Sequence, residues 1–177
     1  MNNKKSNNYA FIDGQNLYKG VKKFDNDFSY KKFRVYLQEF HHIKKAIIFL
    51  GYIKSNIDLY KSLEADGFEL EFKSVSRDGK GNTKGNVDVF LTVQALMRMS
   101  EYDKAVIVTS DGDFASLVEG LKSSDKFLAV ISPEEKTCSY LLRKAVAGRI
   151  TYIDKILQKL RFNDVEDNFN KQTKKRA

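Results

Sequence analysis

Four aspartates drawn from three separated stretches of this sequence have the chemistry of a phosphoryl-transfer site. Asp13 closes the apolar run YAFID, Asp111 and Asp113 follow the apolar run AVIVT in VIVTSDGDF, and Asp88 opens the apolar segment VDVFLTVQALM. If each run is a strand of a parallel sheet, the residue just past its end lies at the carboxyl edge, where open α/β sheets bind ligands. A carboxylate in the first turn of a helix returns to that same edge, so Asp88 joins the other three. Like charges brought together are unfavourable unless a shared proton or a cation neutralises them. Carboxylates without cysteine or histidine beside them select hard ions such as Mg²⁺ or Mn²⁺. Magnesium keeps much of its water and binds phosphate oxygens, so the chemistry expected here is metal-assisted hydrolysis of a phosphodiester.

Each aspartate also has an ordinary reading. Asp13-Gly14 and Asp111-Gly112 are common turn dipeptides, Asp111 or Asp113 can cap the helix that follows, and Asp88 can complement a helix dipole. Turns and caps do not require carboxylates at all four positions, and joint placement at one edge favours a site. Arg77, Lys80 and Lys84, in the polar stretch SRDGKGNTKG just before Asp88, are placed to receive phosphates of a polyanionic partner, or else are solvated loop charges. Tyr18 and Tyr52 lie near strand ends where a base can stack or where a ring can pack at the core edge. His41-His42 has no second cluster to support a metal pair and is assigned no catalytic role. Cys138, the single cysteine, is expected to be a buried, inert thiol in a reducing compartment.

The elements that must position these residues alternate short apolar runs with amphipathic segments, the pattern of βαβ units. Strands are expected at Tyr9–Ile12, Lys45–Gly51, Phe68–Lys73, Ala105–Thr109 and Phe127–Ile131, with a short one near Ile150–Ile153. AIIFLG and AVIVT are almost continuously apolar, as strands covered on both faces are, and should be central. Helices are expected at Leu17–Lys23, Tyr30–Phe40, Ile57–Ala65, Val87–Met99, Phe114–Ser123 and Glu135–Ala147, and a further short one from Asp154 to about Leu160. Asn56 is read as the cap of the third helix and Gly67 as its terminator. The segment Val87–Met99 is apolar nearly all round and is expected to be buried beside the sheet. Residues 76–85 read as a loop. The whole describes a three-layer α/β/α sandwich with a mainly parallel central sheet of about five strands.

A chain of 177 residues closes one substantial core. Residues 9–161 are read as the domain, 1–8 as a disordered N-terminus and 162–177 as a charged, disordered tail. No membrane span is present, and the opening MNNKKSNN lacks the apolar stretch of a secretory signal, so a cytoplasmic protein is expected. The formal charge of +8 favours a polyanionic partner.

The segments YAFIDGQNLY, KGNVDVFLTVQAL and YDKAVIVTSDGDFASLVEGL, followed by VISP and CSYLLRKA, together resemble the NYN domains, PIN-like ribonucleases, in their LabA-like branch. The resemblance runs from about Tyr9 to Ile153. It implies a PIN-like sandwich, with Asp13, Asp88, Asp111 and Asp113 as the catalytic and metal-binding acids around Mg²⁺ or Mn²⁺. It also implies that Asn16 and Ser110 orient carboxylates or metal-bound water. One departure stands out: many relatives carry another acid about six residues after the position of Asp88, where this chain has Gln94. Gln94 adds no charge, which weakens the case for two metals and favours one metal, weak activity or none.

The expected function is therefore a metal-dependent endoribonuclease acting on single-stranded or structured RNA, with homodimer formation left open. The alternative is an RNA-binding or adaptor module that keeps the fold without turnover. A haloacid-dehalogenase-type phosphatase would need an acid where Gln15 stands, and a receiver domain would need its paired acids at the first strand.

Overall fold

The computed structural model describes residues 6–73, 76–77, 83–84 and 87–160. Six strands form one all-parallel sheet: β1 (Asn8–Asp13), β2 (Ile43–Gly51), β3 (Glu69–Lys73), β6 (Ala105–Val108), β7 (Phe127–Ser132) and β8 (Ile150–Tyr152). Their spatial order is β3-β2-β1-β6-β7-β8. Two further short strands, β4 (Ser76–Arg77) and β5 (Thr83–Lys84), pair antiparallel. The stretch expected to be a loop thus contains a short antiparallel strand pair. Seven α-helices are described: α1 (Gly14–Val21), α2 (Tyr30–His41), α3 (Ile57–Ala65), α4 (Val87–Met97), α5 (Ala115–Ser123), α6 (Tyr140–Val146) and α7 (Ile153–Leu160). No helix among the described residues is long and apolar enough to cross a membrane.

The three layers follow from the two-residue period of the strands. Along β1, Tyr9 and Phe11 face one core with Leu91 and Ala95 of α4, Leu117 and Leu121 of α5 and Leu142 of α6. Ala10 and Ile12 face the other, with Leu17 of α1, Phe33 and Leu37 of α2, Leu63 of α3 and Leu160 of α7. Every residue of β1 and β6 is buried, which is why both read as unbroken apolar runs. The strand begins at Asn8, whose side-chain amide donates to the His41 carbonyl at 2.9 Å, and Asn7 N–H donates to Asp103 at 2.8 Å.

Two helices depart from expectation. α4 is not buried all round: only Leu91 and Ala95 are covered, while Val89, Val93, Leu96 and Met97 are exposed. The helix lies on β1 and β2 by one face, and apolar composition alone does not tell which face that is. α6 begins at Tyr140 and not at Glu135, because the chain first turns through Glu135–Cys138, with the Cys138 N–H bonded back to the Glu135 carbonyl at 3.3 Å. Asn56 occupies the position before α3 without making a side-chain cap bond, while Gly67, at φ +91°, ends that helix as expected.

Chain order explains where a site can form. From β1 the chain moves outward to β2 and β3, then returns to lay β6 on the opposite side of β1 and continues to β7 and β8. The connections diverge on either side of the β1–β6 pair, leaving a crevice at the carboxyl ends of those two strands.

Candidate active site

Asp13 is the last residue of β1 and is 5% exposed. Its Oδ1 accepts the Asn16 N–H at 3.0 Å and so caps α1. Its Oδ2 accepts the Thr109 hydroxyl at 3.3 Å. Ile12 pairs with Val108 across β1 and β6, so the residues just beyond them, Asp13 and Thr109, face each other at the crevice. Gly14 allows α1 to start hard against β2: a Cβ there would collide with Leu50 and approach the Phe49 carbonyl oxygen to 2.8 Å. Its φ is not positive, so glycine serves close approach here and not a left-handed turn.

The loop after β6 is built the same way. Thr109, fully buried, accepts the Asp111 N–H on its Oγ1 at 3.1 Å while donating to Asp13. Asp111 Oδ1 accepts the Asp113 N–H at 3.0 Å, capping the short 3₁₀ turn Gly112–Phe114 that leads into α5. Asn16 Oδ1 accepts both the Ser110 N–H at 2.9 Å and the Ser110 hydroxyl at 3.0 Å, clasping the loop after β1 to the loop after β6. The Ser110 carbonyl in turn accepts the Ser139 N–H at 2.9 Å, which ties in the start of α6. Thr109 is the residue that sequence reasoning passed over. It was read as a strand end, and the signal available was its place directly before Ser110 and Asp111.

The cap reading of Asp13 and Asp111 is therefore correct as far as it goes, yet it leaves the electrostatics unexplained. The Asp13 carboxyl is pushed up to about 6 from 3.8, first by burial and further by the fields of Asp88 and Asp111, against the Asn16 N–H and the Thr109 hydroxyl, which lower it. Asp88, half-buried in the first turn of α4, is also raised, by burial and then by Asp111 and Asp113. A cap needs only an acceptor, and asparagine or serine would supply one at no electrostatic cost. Four mutually repelling carboxylates from three segments serve no structural need visible here.

The four expected acids thus lie within electrostatic reach of one another at the carboxyl ends of β1 and β6 and the start of α4, and Asn16 and Ser110 join the loops after β1 and β6. The donor set is entirely hard oxygen, suited to Mg²⁺ or Mn²⁺. Among the described residues no three acids, histidines or cysteines stand at metal-ligand spacing. The carboxylates share one field: Asp88 and Asp111 act on Asp13, and Asp111 and Asp113 act on Asp88. Gln94 lies half-buried on α4. Arg77 and Lys84 are on the β4–β5 strand pair, between β3 and Asp88 in the chain, while Lys80 lies outside the described residues, as do the tail 162–177 and residues 1–5. His41 and His42 end α2 at the opposite edge of the sheet, just before β2 starts. Cys138 is buried, and burial pushes its thiol up.

The NYN domain profile matches residues 9–154. The chain belongs to the NYN domain family. This NYN domain is similar in fold to a protein of unknown function from Vibrio parahaemolyticus, with a TM-score of 0.71 and 23% identity over 87% of this chain and 97% of that one. A more distant likeness, at a TM-score of 0.47 and 15% identity, is to the T5 5'-exonuclease with divalent zinc bound, covering 80% of this chain and 60% of that one. At that level it says nothing about the site. No curated protein matches the chain.

Proposed function

We propose that this NYN domain is a metal-dependent endoribonuclease that hydrolyses RNA phosphodiester bonds at the crevice between β1 and β6. The observation that carries this reading is the buried Asp13, set at the point where the strand order diverges and held near 6 by burial and by its acidic neighbours. A bound Mg²⁺ or Mn²⁺ would neutralise the cluster, activate water and stabilise charge on the phosphate. Asp13, Asp88, Asp111 and Asp113 would hold it.

The chain's own residues do the positioning. Asp13 and Asp111 are fixed by their cap bonds, so their second oxygens point in set directions. Thr109 joins the two, and the Asn16–Ser110 clasp keeps the loops from parting under the repulsion between their acids. Lys84, Arg77 and Lys80 would receive phosphates upstream or downstream of the cleaved bond, and the +8 charge would draw RNA toward an acidic crevice that alone would repel it.

The test is incubation of labelled RNAs with the full chain in Mn²⁺ or Mg²⁺, beside EDTA and an Asp111→Asn variant. Cleavage is expected only with metal and intact Asp111. The variant should keep its fold by circular dichroism and bind RNA at least as well as the wild type, since one negative charge facing the phosphates has gone. That no three acids among the described residues stand at metal-ligand spacing, and the presence of Gln94, also suit a module that binds RNA without turnover. RNA binding with no cleavage in any metal would establish that second reading, and wild-type cleavage by Asp111→Asn would refute the first.

A further inference from the structure

Beside the acidic crevice, on the same carboxyl edge, a cavity of about 440 Å³ opens between α1 and α3 over the end of β2. That volume lies within the range of small-ligand sites. Two residues of its wall, Gly14 and Val87, are the chain neighbours of Asp13 and Asp88, so the cavity borders the acidic crevice. Among the described residues the wall contains no acid and one cation, Lys19.

Its chemistry is aromatic with a polar edge. Tyr18 of α1, Tyr30 of α2 and Tyr60 of α3 all contribute. Tyr60 is 6% exposed and fixed, its hydroxyl accepting the Ile53 N–H at 3.0 Å and donating to the Gly51 carbonyl at 3.5 Å. Tyr18, by contrast, is 47% exposed at the mouth, as are the apolar side chains of Ile53 and Leu59. Asn56 also lines the cavity and does not use its side chain to cap α3, accepting instead a long 3.4 Å bond from the Ser55 hydroxyl. An aromatic face beside an amide whose donors and acceptor are not committed to secondary structure is what an unstacked base requires. An apolar peptide side chain would have no use for the amide.

We propose that this cavity receives an unpaired nucleobase of the same strand whose phosphate lies at the crevice, with the base stacked on Tyr18 and its edge read by Asn56. The proposal rests on the nuclease reading and narrows the substrate to RNA that is single-stranded next to the cleaved bond. A paired base could not leave its stack to enter without losing its partner.

The two readings are separated by titrating the full chain with adenosine, cytidine, guanosine and uridine in EDTA, following amide signals by NMR. At least one nucleoside at millimolar concentration should shift the signals of Gly14, Gly51 and Asn56. Tyr18→Ala should weaken that binding by about tenfold or more, and Asn56→Ala should flatten the preference among bases. In the cleavage assay, Tyr18→Ala should raise KM more than it lowers kcat, and a strand abasic beside the cleaved bond should lose the same amount. If nucleosides bind in this way but no RNA is cut in any metal, the base site stands and the nuclease reading falls. If RNA is cut while no nucleoside binds and the abasic strand is cut equally well, the base site is overturned. It is equally overturned if the same signals shift with protein concentration alone, which would make the cavity mouth an interface between copies of this chain.

Discussion

Replacing Asp13 with asparagine should make the metal-free protein more stable, and by an amount that depends on pH. The carboxyl titrates near 3.8 when unfolded and at about 6 when folded, because burial and the neighbouring acids disfavour its charge. Protonated Asp13 therefore favours the fold. Its contribution is fully present below about pH 3.8 and is lost as pH rises through 6. At about 1.4 kcal/mol per pH unit, the ionised carboxylate costs the fold about 3 kcal/mol at pH 8. With the residue only 5% exposed, solvent screening does little to reduce this. Asparagine keeps an acceptor for the Asn16 N–H and is as good a cap as aspartate. It carries no charge at any pH. Urea unfolding in EDTA at pH 4, 6 and 8 should show wild type and Asp13→Asn nearly equal at pH 4 and the variant ahead by about 2–3 kcal/mol at pH 8. For a domain of this size that gap corresponds to roughly 5–10 °C in Tm. A variant no more stable than wild type at pH 8, or a gap that does not change with pH, would refute the electrostatic account of the site.

Further expectations follow from the same geometry. Adding Mn²⁺ or Mg²⁺ at a hundred times its Kd should raise wild-type stability by about 2.7 kcal/mol, and Asp111→Asn should lose most of that gain, as differential scanning fluorimetry can show. Asn16→Ala leaves the part-buried Ser110 N–H without its acceptor, which should cost about 1 kcal/mol in denaturant unfolding and lower turnover by letting the two loops separate. Gly14→Ala forces a Cβ against Leu50 and the Phe49 carbonyl and should destabilise by about 1–3 kcal/mol or more. Lys84→Ala should weaken RNA binding and reduce the salt slope by about one while leaving the metal-induced Tm shift intact.

Much of the architecture was legible because parallel strands covered on both faces announce themselves. AVIVT and AIIFLG read as interior strands, and the placing of Asp111 just past AVIVT and of Asp13 at the end of YAFID followed from the expected topology. The four acids could be grouped because strand ends and helix starts share an edge. What the sequence withheld depends on relations between elements. The exposed side of α4 was invisible, since Val89, Val93 and Met97 are as apolar as the buried Leu91. Thr109 looked like one more β-branched strand residue until its hydroxyl was seen between Asp13 and the Asp111 N–H. The cavity is made by side chains of α1, α2 and α3 that no local motif connects. Tyr18 and Tyr52 could not be told apart by position: Tyr52 packs on Tyr60 and Phe72, while Tyr18 stands at the cavity mouth.

The place of β1 between β2 and β6 also bears on how the molecule comes into being. β1 meets β2 after a short stretch of chain, but Asp13 and Thr109 are 96 residues apart. Contacts of such long range are slow to form because the chain entropy is lost before the pairing is gained. During synthesis the β1–β2 pair must wait with one apolar strand edge open until Ala105–Val108 has left the ribosome. A nascent chain stalled before that point holds Asp13 on an unpaired edge, with neither Thr109 nor Asp111 beside it. The crevice is therefore absent from every partial product that ends before β6 and appears in the same event that closes the centre of the sheet.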